Sequence, residues 1–208
     1  MSSISIIGLG GMARAIAARA VEGGNSVEVI GRDAAKAKDL AAALGGGATA
    51  GAFGTVPAGD IVVLAVPYAS ALPVVAQYRG ALAGKVIIDV SNTSNADATG
   101  LVTPEGTSGA QEIAKAVPES AHVVKAFNTV FGHILGQGGG PLDVLLAGDD
   151  ARAKASVSAF IESLGLRPLD AGGLEVARWL EGVGLVMISL ARHGVGNFDF
   201  SLGVNLSG

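Results

Sequence analysis

The chain has 208 residues, of which 50% are hydrophobic and 15% charged, and its formal net charge is -4. This length and apolar content suit one compact unit, or a domain with an appendage, around a buried core. The weak negative charge argues against nucleic acid or an acidic membrane as a partner. The absence of cysteine excludes disulfides, thiolate nucleophiles and cysteine-held metals. We expect a cytoplasmic location, because residues 1–3 lead into a strand without the features of a secretory signal.

A glycine-rich turn follows the first predicted strand, Ile4 to Ile7, and leads into an alanine-rich helix. Gly8 permits a tight turn, Gly10 leaves room for a pyrophosphate, and Ala13 lets the helix pack close to the strand. The free amides at the start of the helix would face the phosphates. A purely structural turn is the alternative. The predicted dinucleotide site comprises Gly8, Leu9, Gly10, Gly11, Met12 and Ala13.

The end of the second predicted strand, residues 27–30, indicates which dinucleotide is bound. An enzyme selective for the unphosphorylated cofactor places an acid about twenty residues after the glycines, but this chain has Gly31 there. Arg32 and Lys36 would supply positive charge for a 2'-phosphate. The sequence therefore favours NADP(H), with Asp33 on the ribose hydroxyls as the alternative.

Strands and helices alternate along the rest of the chain. This βα order predicts an α/β fold, namely a doubly wound, mainly parallel Rossmann sheet with a short C-terminal helical appendage. We assign residues 1–172 to an NADP-binding domain and residues 173–208 to a C-terminal helix and tail that shape the acceptor site. Further strands are predicted over 48–52, 60–66, 85–89, 123–127 and 143–147, with an edge strand over 167–170. Helices are predicted over 34–44, 70–78 and 110–116, from 149 or 150 to 164, and from about 174 to 193.

The segment after the predicted sheet is too short for the helical substrate domain of many related dehydrogenases. The second substrate would therefore lie in an open cleft at the carboxyl ends of the strands, where a flat acceptor would fit. The apolar run from Gly182 to Ala191 is about half the length of a membrane span. We predict a helix buried in the protein or in a homodimer interface, where Gly182 and Gly184 would allow close packing.

Polar residues follow three predicted strands at the edge where ligands bind in this architecture. Tyr68 follows the fourth strand, Ser91 and Asn92 follow the fifth, and Asn128 and Thr129 follow the sixth. Each of them is alternatively a simple cap. The polar segment 92–108 is a candidate substrate loop or lid, or alternatively a surface excursion.

Two further side chains are candidates for acid chemistry. His133 follows the sixth strand and could donate a proton, although a partly buried helix histidine is the commoner state. Lys125 lies within that strand, where an edge or snorkelling lysine is expected and a buried acid is the alternative. The three histidines lack ligand spacing, so no metal is predicted.

Several segments together resemble NADP oxidoreductases that use a deazaflavin coenzyme, over nearly the whole chain. They are residues 8–13, 31–32, 66–68, 124–129 and 164–172. The run Lys125-Ala126-Phe127-Asn128-Thr129 is also similar to the cytosolic NADPH-binding domain of six-transmembrane metalloreductases, in which the hydride goes to a flavin. Both families imply a Rossmann core with a terminal helix that shapes the acceptor site, usually in a homodimer.

The residues and the resemblance together define the expected sites. The expected cofactor-binding residues are Gly8, Leu9, Gly10, Gly11, Met12, Ala13, Gly31, Arg32, Lys36, Ala65, Val66, Pro67, Tyr68, Ser91, Asn92, Ala126 and Asn128. The expected acceptor residues are Asn128, Thr129, Val130, Gly182, Gly184 and Met187.

Two hypotheses of function follow from these sites. The first is an NADP(H)-dependent oxidoreductase that passes a hydride between NADPH and a small-molecule acceptor, a deazaflavin or a flavin such as FMN or FAD. Its catalytic candidates are Asn128, Tyr68 and His133, and an imine or a carbonyl compound is the alternative substrate. The second is a non-catalytic redox sensor that binds NADP(H), because a dinucleotide fold does not by itself establish catalysis.

Overall fold

The computed structural model describes residues 1–138 and 142–205, so the last three residues of the predicted tail lie outside the described part. The strands β1 to β8 are Ser3–Ile7, Ser26–Gly31, Thr49–Ala52, Ile61–Leu64, Val86–Asp89, His122–Ala126, Asp143–Gly148 and Arg167–Asp170. The helices α1 to α7 are Gly11–Glu22, Ala34–Leu44, Tyr68–Tyr78, Gly109–Ala116, Gly132–Gly136, Ala151–Ser163 and Ala177–Arg192. Short 3-10 turns occupy Arg79–Leu82, Leu174–Val176 and Gly196–Phe198.

The strands form one sheet in the order β3-β2-β1-β4-β5-β6-β7-β8. All neighbours are parallel except β6 and β7, which are antiparallel. The predicted doubly wound, mainly parallel α/β fold is therefore confirmed. The strand order changes direction between β1 and β4, and this switch point is where a ligand crevice opens in such sheets.

The sheet is buried on both faces, which explains the continuous apolar runs in its central strands. Alternate residues of one strand enter different cores, as Val63 packs with α1 and α6 while Val62 packs with α3 and α4. Small alanines on α1, such as Ala13 and Ala17, are fully buried and let this helix lie close to the sheet.

Side-chain caps determine where several helices begin. Asp150, and not Asp149, caps α6 by accepting a hydrogen bond from the Ala153 amide at 2.7 Å. A reciprocal capping box between Ser108 and Gln111 begins α4 and so ends the predicted loop 92–108. The last helix begins three residues later than predicted, because residues 174–176 form a separate 3-10 turn.

The reversal between β6 and β7 brings the tail back to the edge of the sheet where β6 ends. The first residues of β7 and β8 lie at that edge, and Arg167 pairs with Asp143 there at 2.6 Å. The Val204 amide donates to Asp143 at 2.6 Å, and Arg167 donates to the Val204 carbonyl oxygen at 2.6 Å. The tail is thus fastened at the same edge that carries the carboxyl end of β6.

Candidate active site

The turn between β1 and α1 has a shape that only glycine allows. Gly8 has a φ angle of +134°, and a β carbon on it would lie 2.1 Å from the carbonyl oxygen of Ala65. Its amide donates to the carbonyl oxygen of Ile30 at 2.9 Å. Beta carbons on Gly10 or Gly11 would meet nothing within 4 Å, and no side chain caps α1. Open space beside an uncapped helix start suits a phosphate group.

An open crevice of about 760 Å³ lies at the carboxyl ends of β1, β2 and β4. Predicted cofactor residues in its lining are Gly8, Leu9, Gly10, Gly31, Arg32, Ala65, Val66 and Pro67. The remaining predicted cofactor residues do not line it; they are Gly11, Met12, Ala13, Lys36, Tyr68, Ser91, Asn92, Ala126 and Asn128.

One wall of this crevice consists of residues that the sequence did not predict. The missed residues come from α3 and the segment after β3; they are Phe53, Ala69, Ser70, Pro73, Val74 and Gln77. They belong to no motif and carry no charge. The position of α3 directly after β4, at the switch point of the sheet, was the one signal that could have identified them.

The two charged residues after β2 have different surroundings. The Asp33 carboxylate caps α2 by accepting a hydrogen bond from the Lys36 amide at 3.1 Å, and this amide lowers the pKa of Asp33. The Lys36 ammonium group lies 3.5 Å from the same carboxylate. Arg32 is exposed on the crevice wall. A β carbon on Gly31 would lie 2.4 Å from the Leu9 side chain, so an acid at position 31 would require Leu9 to move.

A second set of predicted residues meets at the carboxyl ends of β5 and β6. The Asn128 side-chain amide donates to the carbonyl oxygen of Leu180 at 2.8 Å and to Oδ1 of Asn92 at 3.0 Å. Because both of its N–H groups are used, Asn128 keeps Oδ1 as an acceptor. That atom, Oγ of Ser91 and Oγ1 of Thr129 are buried and have no partner among the described residues. An unpaired buried polar group costs about 1–3 kcal/mol, so each of these atoms calls for a partner outside the protein, such as a water molecule or a ligand.

The backbone just before Asn128 is strained. Phe127 has a φ angle of +65°, which a bulky residue rarely adopts. Its ring is fully buried and packs edge-on against Phe160, with ring centroids 6.4 Å apart. Strain of this kind persists where the surrounding packing enforces it, and it is concentrated at functional sites.

A cluster of fully buried charges adjoins this edge, consisting of Asp89, Lys125 and Glu181. The Lys125 ammonium group lies 2.8 Å from Asp89 and 3.0 Å from Glu181, and it donates to the Ser91 carbonyl oxygen at 2.5 Å. The expectation of an edge or snorkelling lysine is therefore wrong. Carboxylates from β5 and α7 compensate for the water that the ammonium group loses on burial.

The two candidate proton donors also differ in their surroundings. Tyr68 begins α3 and is partly buried; burial raises its pKa, and the carboxylates of Glu112 and Glu181 raise it further. Its phenol therefore stays protonated at neutral pH. The expectation that His133 is partly buried is wrong, because α5 is a single turn whose buried position is taken by Leu135.

The predicted acceptor residues lie in different surroundings. Gly184 faces Asn92, because a β carbon on it would lie 2.3 Å from the Asn92 Oδ1 atom. This contact places α7 against the polar edge. Val130 and Met187 are buried, whereas a β carbon on Gly182 would meet nothing within 4 Å.

Within residues 1–138 and 142–205, no group of three or more histidine, aspartate or glutamate side chains could hold a metal ion. The helices in these ranges are also too short or too polar to span a membrane.

Comparison with known proteins connects this geometry to a family. Residues 3–93 match the family described as NADP oxidoreductase, coenzyme F420-dependent. The chain is 32% identical over 190 residues to metalloreductase STEAP3 of Rattus norvegicus, covering 89% of this chain and 37% of that protein. It is 32% identical over 139 residues to the F420-dependent NADP reductase of Methanocaldococcus jannaschii, covering 64% of this chain and 62% of that protein. The chain thus spans less than two thirds of either curated relative.

Solved structures show similarity over most of the chain. A candidate F420-dependent NADP reductase of Arthrobacter sp. FB24 superposes with a TM-score of 0.83 at 26% identity, covering 98% of this chain and all of the other. A hypothetical protein of Sinorhizobium meliloti has a TM-score of 0.74 at 29% identity, covering 84% and 86% of the two chains. An imine reductase of Aspergillus terreus shares the fold alone, with a TM-score of 0.69 at 19% identity over 93% and 63% of the chains. The resemblance predicted from the sequence is confirmed, because residues 3–93 match the family of coenzyme F420-dependent NADP oxidoreductases.

Proposed function

We propose that this chain transfers a hydride between NADPH and a flat acceptor, a deazaflavin or a flavin. The observation that carries the proposal is the set of buried polar atoms without partners on Ser91, Asn128 and Thr129. A nicotinamide carboxamide has two N–H donors and one carbonyl acceptor, so it would pair with the Asn128 oxygen and with a hydroxyl group of Ser91 or Thr129. When bound, NADPH supplies the hydride.

The crevice would hold the rest of the cofactor. The Gly8 turn and the first amides of α1 would bind the pyrophosphate, and the Arg32 guanidinium group would bind the 2'-phosphate. Phe53 and Pro73 offer an apolar wall for the adenine ring. This division assigns the crevice to the adenosine half and the polar edge of β5 and β6 to the nicotinamide half.

The acceptor would lie beside the nicotinamide, between the Asn128 edge and α7. Hydride transfer between stacked rings depends mainly on holding the donor and acceptor atoms close together, with little acid or base chemistry. The relative from M. jannaschii, an F420-dependent NADP reductase, favours a deazaflavin. If the acceptor is instead an imine or a carbonyl compound, the protonated phenol of Tyr68 is the proton donor to test first.

The unpaired hydroxyl groups offer a test in which stability and activity change in opposite directions. We expect the double variant Ser91→Ala and Thr129→Val to fold as stably as the wild type or more so, because no described protein group loses a hydrogen bond. We expect its kcat/KM for NADPH to fall by about tenfold to a hundredfold, because neither hydroxyl group is left to pair with the carboxamide. Thermal unfolding and NADPH oxidation at 340 nm, with deazaflavin, FMN, FAD and cyclic imines as acceptors, measure both quantities.

Ser156→Ala is the control, since this serine is exposed on α6. Unchanged kinetics in the double variant would argue against a carboxamide at this edge. If the wild type binds NADPH but oxidises it with no acceptor, hydride transfer is wrong and the redox-sensor hypothesis stands.

We also propose a homodimer formed through α7. One exposed face of this helix carries Trp179, Val186 and Leu190, which are 70%, 55% and 37% exposed as whole residues. Gly182 on the same face would let a second backbone approach closely. We expect sedimentation velocity to give the mass of two chains for the wild type and of one chain for Val186→Glu, because a buried unpaired carboxylate is costly. Ser156→Glu on α6 should leave the dimer intact. A monomeric wild type would exclude this interface.

A further inference from the structure

Glu181 connects four parts of the chain through one buried carboxylate. Its Oε1 atom lies 3.0 Å from the ammonium group of Lys125 on β6. Its Oε2 atom accepts hydrogen bonds from the Thr93 hydroxyl at 2.5 Å and from the Gly109 amide at 3.1 Å. Thr93 lies at the start of the segment 92–108, and Gly109 begins α4 directly after it. The same carboxylate therefore holds both ends of this segment and ties them to β6.

The turn of α7 that contains Glu181 makes two further contacts with the strand ends. The carbonyl oxygen of Leu180 accepts a hydrogen bond from Asn128 at 2.8 Å. Gly184, one turn later, leaves space only for the Asn92 side chain, since a β carbon there would lie 2.3 Å from Oδ1. One helical turn of α7 is thus joined to the ends of both β5 and β6.

These contacts have different strengths. The contacts of Leu180 and Gly184 are one neutral hydrogen bond and one van der Waals approach. The Thr93 and Gly109 hydrogen bonds to Glu181 are charge-assisted and buried, and such bonds are roughly twice as strong as neutral ones. Lys125 adds a buried ion pair at 3.0 Å. Alongside the buried apolar side chains of α7, Glu181 therefore makes the strongest polar contacts that hold this helix at the strand ends.

We propose that Glu181 is a positioning residue, which sets the distance between the α7 wall of the acceptor site and the nicotinamide end of the cofactor site. This inference rests on the proposed function, in which the acceptor lies between α7 and the ends of β5 and β6. Glu181 itself touches Lys125, Thr93 and Gly109 and acts through them and through α7.

Glu181→Gln is the informative substitution. The amide oxygen of glutamine can keep the bonds from Thr93 and Gly109, but its NH2 group then faces the Lys125 ammonium group, so that attraction becomes repulsion between donors. We expect α7 to shift, and the KM for the acceptor to rise by about tenfold to a hundredfold. The Kd for NADPH should change much less than the acceptor KM, because no residue of α7 lines the crevice proposed for the adenosine half of the cofactor.

A second measurement does not depend on turnover. Trp179, the single tryptophan of the chain, lies on α7, and its emission overlaps the absorption of bound NADPH. Energy transfer falls steeply with distance, so we expect a lower transfer efficiency in Glu181→Gln at saturating NADPH. The control is Glu175→Gln, which neutralises an exposed carboxylate just before the same helix. If Glu181→Gln does not fold, Thr93→Val removes one donor without changing charge and should raise the acceptor KM by about threefold to tenfold.

The outcomes separate this inference from the proposed function. A fall in kcat with an unchanged acceptor KM, or an energy transfer equal to that of Glu175→Gln, would overturn the positioning role while hydride transfer stands. If the wild type reduces no acceptor, the proposed function fails, and the energy transfer still decides whether Glu181 holds α7 in place.

Discussion

Replacing Lys125 with methionine is expected to lower the free energy of unfolding by about 3–5 kcal/mol, because it leaves two buried carboxylates without their counter-charge. Asp89 and Glu181 are both fully buried and lie within 3.0 Å of the ammonium group that is removed. Methionine keeps the volume of the side chain, so the loss reports the charge and not a cavity. Urea unfolding followed by circular dichroism measures it.

The matched control is Lys115→Met, which removes an exposed lysine that pairs with Glu112 at 2.8 Å. An exposed pair contributes about 0–1 kcal/mol, so the control should unfold nearly as the wild type does. The double variant of Lys125→Met and Glu181→Gln should lose less free energy of unfolding than the two single variants together, because a neutral amide then replaces one of the unpaired carboxylates. A loss of less than about 1 kcal/mol in Lys125→Met would show that the buried cluster does not stabilise the fold.

Replacing Arg32 with alanine is expected to weaken NADPH binding by about tenfold to a hundredfold and to change NADH binding by less than about threefold. Arg32 is exposed on the crevice wall. A guanidinium group binds a phosphate through parallel charge-assisted hydrogen bonds, and NADH lacks the 2'-phosphate. Fluorescence titration of both cofactors measures the two dissociation constants.

Two companion variants test the alternative, in which Asp33 binds the ribose. Asp33→Asn keeps a good helix cap for α2, so it should leave both dissociation constants nearly unchanged if Asp33 is only a cap. Lys36→Ala should weaken NADPH binding by less than about fivefold, since the Lys36 ammonium group is exposed and already pairs with Asp33. If Arg32→Ala weakens the binding of NADPH and NADH equally, or if Asp33→Asn strongly weakens NADH binding, the alternative in which Asp33 binds the ribose is favoured.

Most of the fold could be predicted because its central strands are buried on both faces. The runs at residues 61–64 and 86–88 are apolar without alternation, and the residues between them have helical spacing. The element boundaries were less predictable. The pattern does not distinguish the 3-10 turn at residues 174–176 from the first turn of α7, because both place Leu174 and Ala177 in the core.

The candidate site could be predicted where backbone geometry requires one residue type. Gly8 is such a position, since its φ angle and the nearby carbonyl oxygen of Ala65 exclude a side chain. The burial of Lys125 could not be predicted, because its partners come from β5 and from α7, which is distant in sequence. The role of Phe53 in the crevice wall was equally hidden, as an aromatic residue in a loop is compatible with many environments.

The reversal of chain direction between β6 and β7 has a consequence for how this protein can diversify. In a wholly parallel sheet, only the segments that leave the strands reach the ligand edge. Here the segments that enter β7 and β8 also reach it, and the tail is fastened to them through Asp143, Arg167 and Val204. Changes in length or composition just before these strands can therefore reshape the proposed acceptor side while the dinucleotide turn and the central strands keep their sequence. The segments before β7 and β8 are thus a second set of loops at this edge, and they can be varied, in evolution or by design, without altering the dinucleotide turn.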